Sequence, residues 1–240
     1  MRAIVLAAGQ GKRLGSESAN LPKVMRLANG KPLLEWVLGN ISFIPAEDIT
    51  LVVGFMREKV TETFGDKYKY AVQDAQLGTG HAVMCAKDSI AGYDGPVLVA
   101  YGDMPLIQES SYRALIETHI AQGNDCTILT CVTDKRLAYG RIIRKGGEVV
   151  GIVEDRDCNP EQKLIKELNS GIYVFNSVKL LDALKKIKKN NDQEEYYLTD
   201  APLYMQKLGA YVINEDYQII GVNTIIDLEE VEKLLKNEDN

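Results

Sequence analysis

Two rhythms alternate along the first half of the chain. Short apolar runs, "RAIVLA", "DITLVVG", "YKYAVQ", "PVLVAYGD" and "CTILTCV", read as strands. Between them lie "PLLEWVLGNI" from Pro32, "REKVTETF", "GHAVMCAKDSI" and "SSYRALIETHIAQG" up to Gly123. Their apolar positions recur at helical spacing. Strands that alternate with helices of this length predict βαβ units and a mostly parallel sheet flanked by helices, an α/β fold. The rhythm changes near Ala138. "YGRIIRKGGEVVGIVED" has two β-rich arms around Gly146-Gly147, a hairpin signal. "SGIYVF" predicts a further strand. "NSVKLLDALKKIKK" predicts a helix with Val178, Leu181 and Leu184 on its apolar face and lysines in its last turn. "YYLTDAPLYMQKLG" reads as a helix capped by Thr199 or Asp200, "AYVI" and "YQIIGV" as short strands, and "DLEEVEKLLKNEDN" as a closing helix with an acidic end.

No internal repeat or flexible linker interrupts the pattern. The expected organisation is one domain over 1–240, with a nucleotide-binding half over about 1–137 and a small β-rich sugar-binding half over about 138–240. The 240 residues, 45% hydrophobic, suffice for a large core. The formal net charge of −6 argues against a nucleic-acid binder, which needs a basic face. Cys85, Cys126, Cys131 and Cys158 contain no CxxC pair, and His81 and His119 are the only histidines, a poor inventory for zinc. Reduced thiols in a cytoplasmic protein are expected, without membrane or targeting segments, since "AIVLAA" is too short for either.

Three stretches carry chemistry. In "AIVLAAGQGKRLGSESANLPKVM", Gly9, Gly11 and Gly15 follow a strand, where a parallel sheet offers its ligand crevice, and Arg13 and Lys23 add positive charge. This is neither GxGxxG nor a Walker loop, and an ordinary strand-to-helix turn would look similar. In "QDAQLGTGHA", Gly78 and Gly80 bracket Thr79 before a helix. Thr79 is a cap or a ligand contact, Gln73 and Gln76 hold the donors and acceptors that nucleobase readout needs, and His81 reads as an outward or capping histidine. In "VLVAYGDMPLI", Asp103 follows a strand and suits a hard cation such as Mg²⁺, or else a turn before Pro105.

Together, "LAAGQGKRL…LPKVM", "QLGTGHA", "YGDMPLI", "YGRIIR", "GIVED", "ELNSGIYVF" and "GVNT" resemble, in order and over about 1–235, the sugar-nucleotidyltransferase family. Within it they are most similar to its N-acetylglucosamine-1-phosphate uridylyltransferase branch. The resemblance implies a Rossmann-like nucleotide-diphospho-sugar transferase fold. It implies an enzyme that joins UTP and N-acetylglucosamine 1-phosphate into UDP-N-acetylglucosamine and pyrophosphate with Mg²⁺, a precursor step for the cell envelope. Leu6, Ala8, Gly9 and Gly11 would line the nucleotide pocket, and Gln73, Gly78 and Thr79 would read uracil. Arg13 and Lys23 would meet the phosphates. Tyr101, Gly102 and Asp103 would bridge nucleotide and metal, with Asn223 as second metal ligand. Gly140, Glu154 and Asn169 would hold the sugar. The same chemistry on another pair, such as dTTP or UTP with glucose 1-phosphate, and a non-catalytic nucleotide-sugar sensor are the alternatives. Three departures stand out: the segment from Arg13 to Lys23 is longer than usual, Ser170 and Thr224 replace the common Thr and Asn, and the left-handed β-helix acetyltransferase half of bifunctional members is expected to be absent. The oligomeric state is left open.

Overall fold

The computed structural model describes residues 1–15 and 20–238. The strands are β1 (Arg2–Ala7), β2 (Leu27–Ala28), β3 (Lys31–Pro32), β4 (Ile49–Val53), β5 (Lys69–Val72), β6 (Pro96–Tyr101), β7 (Cys126–Val132), β8 (Arg141–Lys145), β9 (Glu148–Val153), β10 (Glu167–Asn176) and β11 (Leu208–Ile213). The helices are α1 (Leu33–Asn40), α2 (Arg57–Phe64), α3 (Thr79–Cys85), α4 (Glu109–Gln122), α5 (Ser177–Leu184) and α6 (Ile225–Glu238). Nine strands form one sheet in the order β11-β7-β10-β6-β1-β4-β5, with the β8–β9 hairpin attached through β10. β1 pairs in parallel with β4 and β6, β4 with β5, and β7 with β11. β10 runs antiparallel between β6 and β7. The sheet therefore crosses the point where the sequence rhythm changes.

Continuous apolar strands are what a sheet covered on both faces requires. Ala3, Val5 and Ala7 of β1 face one layer, packed by Leu34, Val37, Val60 and Leu115 from α1, α2 and α4. Ile4 and Leu6 face the other, packed by Ala82, Val83, Leu180 and Ala183 from α3 and α5. A third cluster ties Val231 and Leu235 of α6 to Leu14, Leu33 and Leu106. Gly123 ends α4 in the left-handed conformation, with φ 60°, and its N–H closes the last turn. Asn176 caps α5 by accepting from the Lys179 N–H at 3.1 Å. All four cysteines are free; Cys85 is half-buried and the others are buried. Among the described residues, no helix is long and apolar enough to cross a membrane.

Four expectations need correction. Residues 198–204 form a run of 3₁₀ turns and not an α-helix. Pro202 lies inside it and supplies no N–H, while the Leu198 N–H is taken by Thr79 Oγ1 at 3.1 Å. Residues 217–222 are not a strand: a 3₁₀ turn covers Asp216–Ile219, and the Gly221 and Val222 amides donate to Tyr139 Oη and the Asp103 carbonyl. The buried face of α5 is Leu180, Ala183 and Leu184, continued by Ile187, whereas Val178 is exposed. Both stripes have helical spacing, and only packing distinguishes them. Pro32 precedes α1 and ends a β2–β3 hairpin turning at Asn29-Gly30, both at positive φ. That Asn-Gly pair is a hairpin signal which the helical reading of 32–41 overshadows.

A bulge in β10, between Asn169 and Tyr173, bends the strand where it passes the end of β6. Gly171 sits in it at φ 88°, and an added Cβ would lie 2.7 Å from the Tyr101 ring. Gly171→Ala is expected to cost about 1–3 kcal/mol, from backbone strain and overpacking together. The urea midpoint should fall accordingly; an unchanged midpoint would mean that the bulge does not need glycine.

Candidate active site

The chain leaves β1 toward β4 on one side, while β6 lies on the other. A parallel sheet opens a crevice at such a reversal, beyond the carboxyl ends of the two strands. Leu6 and Tyr101 are register partners there, and the Gly102 N–H donates to the Leu6 carbonyl at 2.9 Å. A cleft of about 450 Å³ opens above them. Leu6, Ala8, Gly9, Lys23, Gln73, Gly78, Thr79, Tyr101, Asp103, Gly140, Glu154, Asn169 and Asn223 all line it. Gly102 lies beneath: a Cβ on it would stand 3.0 Å from Leu34 and 3.2 Å from Val24. Gly11 is also outside the lining, at φ 66° before the Lys12–Leu14 turn.

The cations converge on two oxygens. The Lys23 ammonium forms an ion pair with Asp103 and donates to Asn223 Oδ1 at 2.8 Å. Arg13, on the exposed rim, donates to the same Oδ1 at 3.3 Å. Asn223 Nδ2 donates to the Gly221 carbonyl, which leaves Oδ1 for the cations. Three bonds hold this distant segment against the loop after β6 and against Tyr139. Val222 N–H donates to the Asp103 carbonyl at 3.0 Å, and Tyr139 Oη donates to the Ile219 carbonyl at 2.7 Å while accepting from the Gly221 N–H. Burial pushes the Tyr139 hydroxyl up to about 12, so it stays a donor. Asp227 was not anticipated. Its Oδ2 accepts from the Asn223 and Thr224 amides at 2.8 and 2.7 Å, and the Asp227 N–H donates to Thr224 Oγ1. "TIID" is a capping pattern that could have been read.

At the next stretch of wall, Gln76 Nε2 donates to the Ala8 carbonyl at 2.7 Å, and Gln73 is buried beside Gly78. Gly78 has φ 104°, and a Cβ would meet the Tyr196 carbonyl at 2.5 Å. Gly80 N–H donates to that same carbonyl, and Tyr196 N–H donates to Leu77. These contacts lay residues 193–199 along the cleft, where Gln193, Glu195 and Tyr197 join the lining. No local signal marked those three, because their role depends on pairing with the 77–80 loop.

The far wall comes from β8–β10. Asn169 N–H donates to the Gly140 carbonyl at 2.9 Å, and Asn169 Nδ2 to Tyr173 Oη at 2.7 Å. Ser170 Oγ donates to the Leu129 carbonyl and accepts from the Ile172 N–H, so it serves the bulge. Glu154 Oε1 accepts from the Thr199 hydroxyl at 2.9 Å. Burial raises the Glu154 carboxyl above its ordinary range, and Asp157, Asp200 and Asp155 push the same way.

The Nucleotidyl transferase family pattern matches residues 2–227. The chain belongs to that family. It is 45% identical over 241 residues to "Bifunctional protein GlmU" of Caldanaerobacter subterraneus subsp. tengcongensis, and 44% over 242 residues to the protein of that name in Thermoanaerobacter pseudethanolicus. Each match covers 99% of this chain and 52% of the relative, so the chain spans about half the length of these curated relatives. The fold is shared with a Bacillus anthracis protein assigned as a glucose-1-phosphate thymidylyltransferase. Its TM-score is 0.76 at 19% identity, over 98% of this chain and 94% of that one.

Family members work on phosphates that need a counter-charge, and the donor set here suits one. Asp103 and Asn223 offer one charged and one neutral oxygen to a single cation. Among the described residues, no cluster of three or more His, Cys, Asp and Glu could hold a metal. A hard divalent ion bound by two protein oxygens takes its other ligands from phosphate and water. The expectation that the longer 13–23 segment closes differently falls on Ser16–Ala19, outside the described residues.

Glu154 gives this nucleotidyl transferase a testable stability cost. Its folded-state pKa is raised, so stability falls as pH climbs through and above the ordinary carboxylate range, where the buried group must ionise. Glu154→Gln can still accept from Thr199 without that charge. It should unfold at a higher temperature than the parent near neutral pH, with the gap closing as pH falls toward the range of free carboxylates. A constant gap across pH would show that ionisation of Glu154 is not its source.

Proposed function

We propose that this nucleotidyl transferase makes UDP-N-acetylglucosamine and pyrophosphate from UTP and N-acetylglucosamine 1-phosphate, with Mg²⁺ as its metal. The observation that carries the reading is the Lys23–Asp103–Asn223 cluster at the β1–β6 crevice, in the same cleft that Gln73 and Gly78 of the 73–80 loop and Gly140, Glu154 and Asn169 of the far wall also line. A phosphate chain bound there would have a base on one side and a sugar on the other. The GlmU relatives, 44–45% identical, support the same direction.

In the proposed reaction a phosphate oxygen of the sugar 1-phosphate attacks the α-phosphorus of UTP. A P–O bond forms, the bond to the bridging oxygen breaks, and pyrophosphate leaves with that electron pair. The attacking oxygen is already anionic, so no strong general base is needed. Lys23 and Arg13 offset phosphate charge, and the fixed walls hold the reactants in line. Asp103 and Asn223 are the residues that would hold Mg²⁺, which would supply further charge neutralisation at the phosphates. Gln73, Gly78 and Thr79 are assigned to the base; Leu6, Ala8, Gly9 and Tyr101 to the nucleotide; Gly140, Glu154 and Asn169 to the sugar. Gly102 acts beneath the site, and Gly11 shapes the loop that carries Arg13.

Pyrophosphate release should be fastest with UTP and N-acetylglucosamine 1-phosphate when UTP, dTTP, CTP and ATP are crossed with N-acetylglucosamine and glucose 1-phosphates. A clear preference for dTTP with glucose 1-phosphate would defeat the assignment. For the metal, Asp103→Asn and Asn223→Ala should each lower kcat/KM by about 10²-fold or more. The double variant should be little worse than the poorer single, because residues that share one role are not additive. Losses that multiply, with no change in Mg²⁺ dependence, would mean that the two do not share an ion.

A further inference from the structure

The Gln73 side chain is buried in the cleft wall, and its amide nitrogen has two partners. Nε2 lies 3.1 Å from the Gly78 carbonyl oxygen and 3.1 Å from His81 Nδ1. A carbonyl can only accept, so the Gly78 contact identifies the facing atom as the NH₂ group and not Oε1. One amide hydrogen goes to Gly78, and the other meets His81 Nδ1. That bond requires the neutral imidazole with its lone pair on Nδ1 and its hydrogen on Nε2. The remaining contacts agree: Nε2 lies 3.9 Å from Cys85 Sγ, a soft acceptor, and the ring stacks on Tyr196 with centroids 6.3 Å apart. His81 does not itself line the cleft. With both amide hydrogens used, Oε1 is the only Gln73 side-chain atom left to meet a ligand.

We infer that His81 is a positioning residue for nucleobase choice. By accepting from Gln73 it makes that side chain present an acceptor to the cleft. An acceptor suits a base whose ring nitrogen carries a hydrogen, as in uracil, and opposes one whose ring nitrogen carries a lone pair, as in cytosine. The inference rests on the assignment of Gln73 to the base, given above. Two substitutions isolate the hydrogen bond from the packing. In His81→Asn, Oδ1 stands where Nδ1 stood and still accepts; in His81→Leu, a side chain of similar size cannot.

The readouts are kcat/KM with UTP and with CTP at a fixed sugar phosphate, and equilibrium Kd for both nucleotides. His81→Leu should lower the UTP-to-CTP ratio about fivefold, the worth of about one neutral hydrogen bond, chiefly through KM and Kd. His81→Asn should keep the ratio within about twofold of the parent. A leucine variant with the parent ratio, or an asparagine variant that loses as much as leucine, overturns the inference. Should the leucine variant not fold, the asparagine ratio decides by itself: retained supports, lost overturns. Gln73→Leu separates the two levels. If it lowers the ratio while His81→Leu does not, only the role of His81 fails. If it leaves the ratio untouched, the base assignment fails and the His81 inference falls with it.

Discussion

The parallel pairing of β1 with β6 is the constraint on which the rest of the molecule depends. It puts the Leu6 carbonyl under the Gly102 amide and so brings two loops, 8–15 and 102–107, to the mouth of the same crevice. Glycine at 102 leaves room for Leu34 and Val24, whose side chains a Cβ there would press at 3.0 and 3.2 Å. A sheet buried on both faces is stiff, so the end of each strand is a fixed point from which a loop can be aimed. Asp103 is two residues beyond such a point, the end of β6 at Tyr101. Its carbonyl anchors Val222, and its carboxylate pairs with Lys23.

The polar groups of the site are held by bonds that would otherwise be costs. Asn223 is fixed by Gly221, Asp227 and the cations, Asn169 by Tyr173 and Gly171, and Glu154 by Thr199. Each such bond offsets the desolvation of a group drawn from water, and each also removes a rotamer that a substrate would have to exclude. At Glu154 burial raises the pKa even though the Thr199 hydroxyl donates to the carboxylate, so desolvation outweighs that bond. A site that receives a polar ligand retains such a debt, because a wall satisfied entirely by itself would have nothing to offer.

The readings that held were those in which local pattern and tertiary demand coincide. β1, β4, β6 and β7 read as apolar runs because both of their faces are buried, and α4 stops at Gly123 because a left-handed residue favours glycine. The Gly146-Gly147 hairpin carries its own turn chemistry. The failures are segments whose backbone bonds go to remote partners. Residues 196–199 look helical in isolation, but their amides and side chains pair with Leu77, Thr79 and Glu154. Residues 217–222 look extended, but Gln218 turns inward to accept from Ser111 and the Gln108 amide.

By itself the sequence determined the α/β alternation, the loops after β1 and β6, the glycines that let backbone come close, and the chemical kinds of group on offer. These follow from side-chain size, polarity and backbone freedom over a few neighbouring residues. Tertiary structure alone decided that Lys23, Asp103 and Asn223 share one point, that 193–199 lines the cleft, and that His81 Nδ1 meets the Gln73 amide. Those facts depend on which distant segments the sheet brings within hydrogen-bond reach. A hydrogen bond is worth little until the chain entropy of bringing its partners together has been met by the burial of the core.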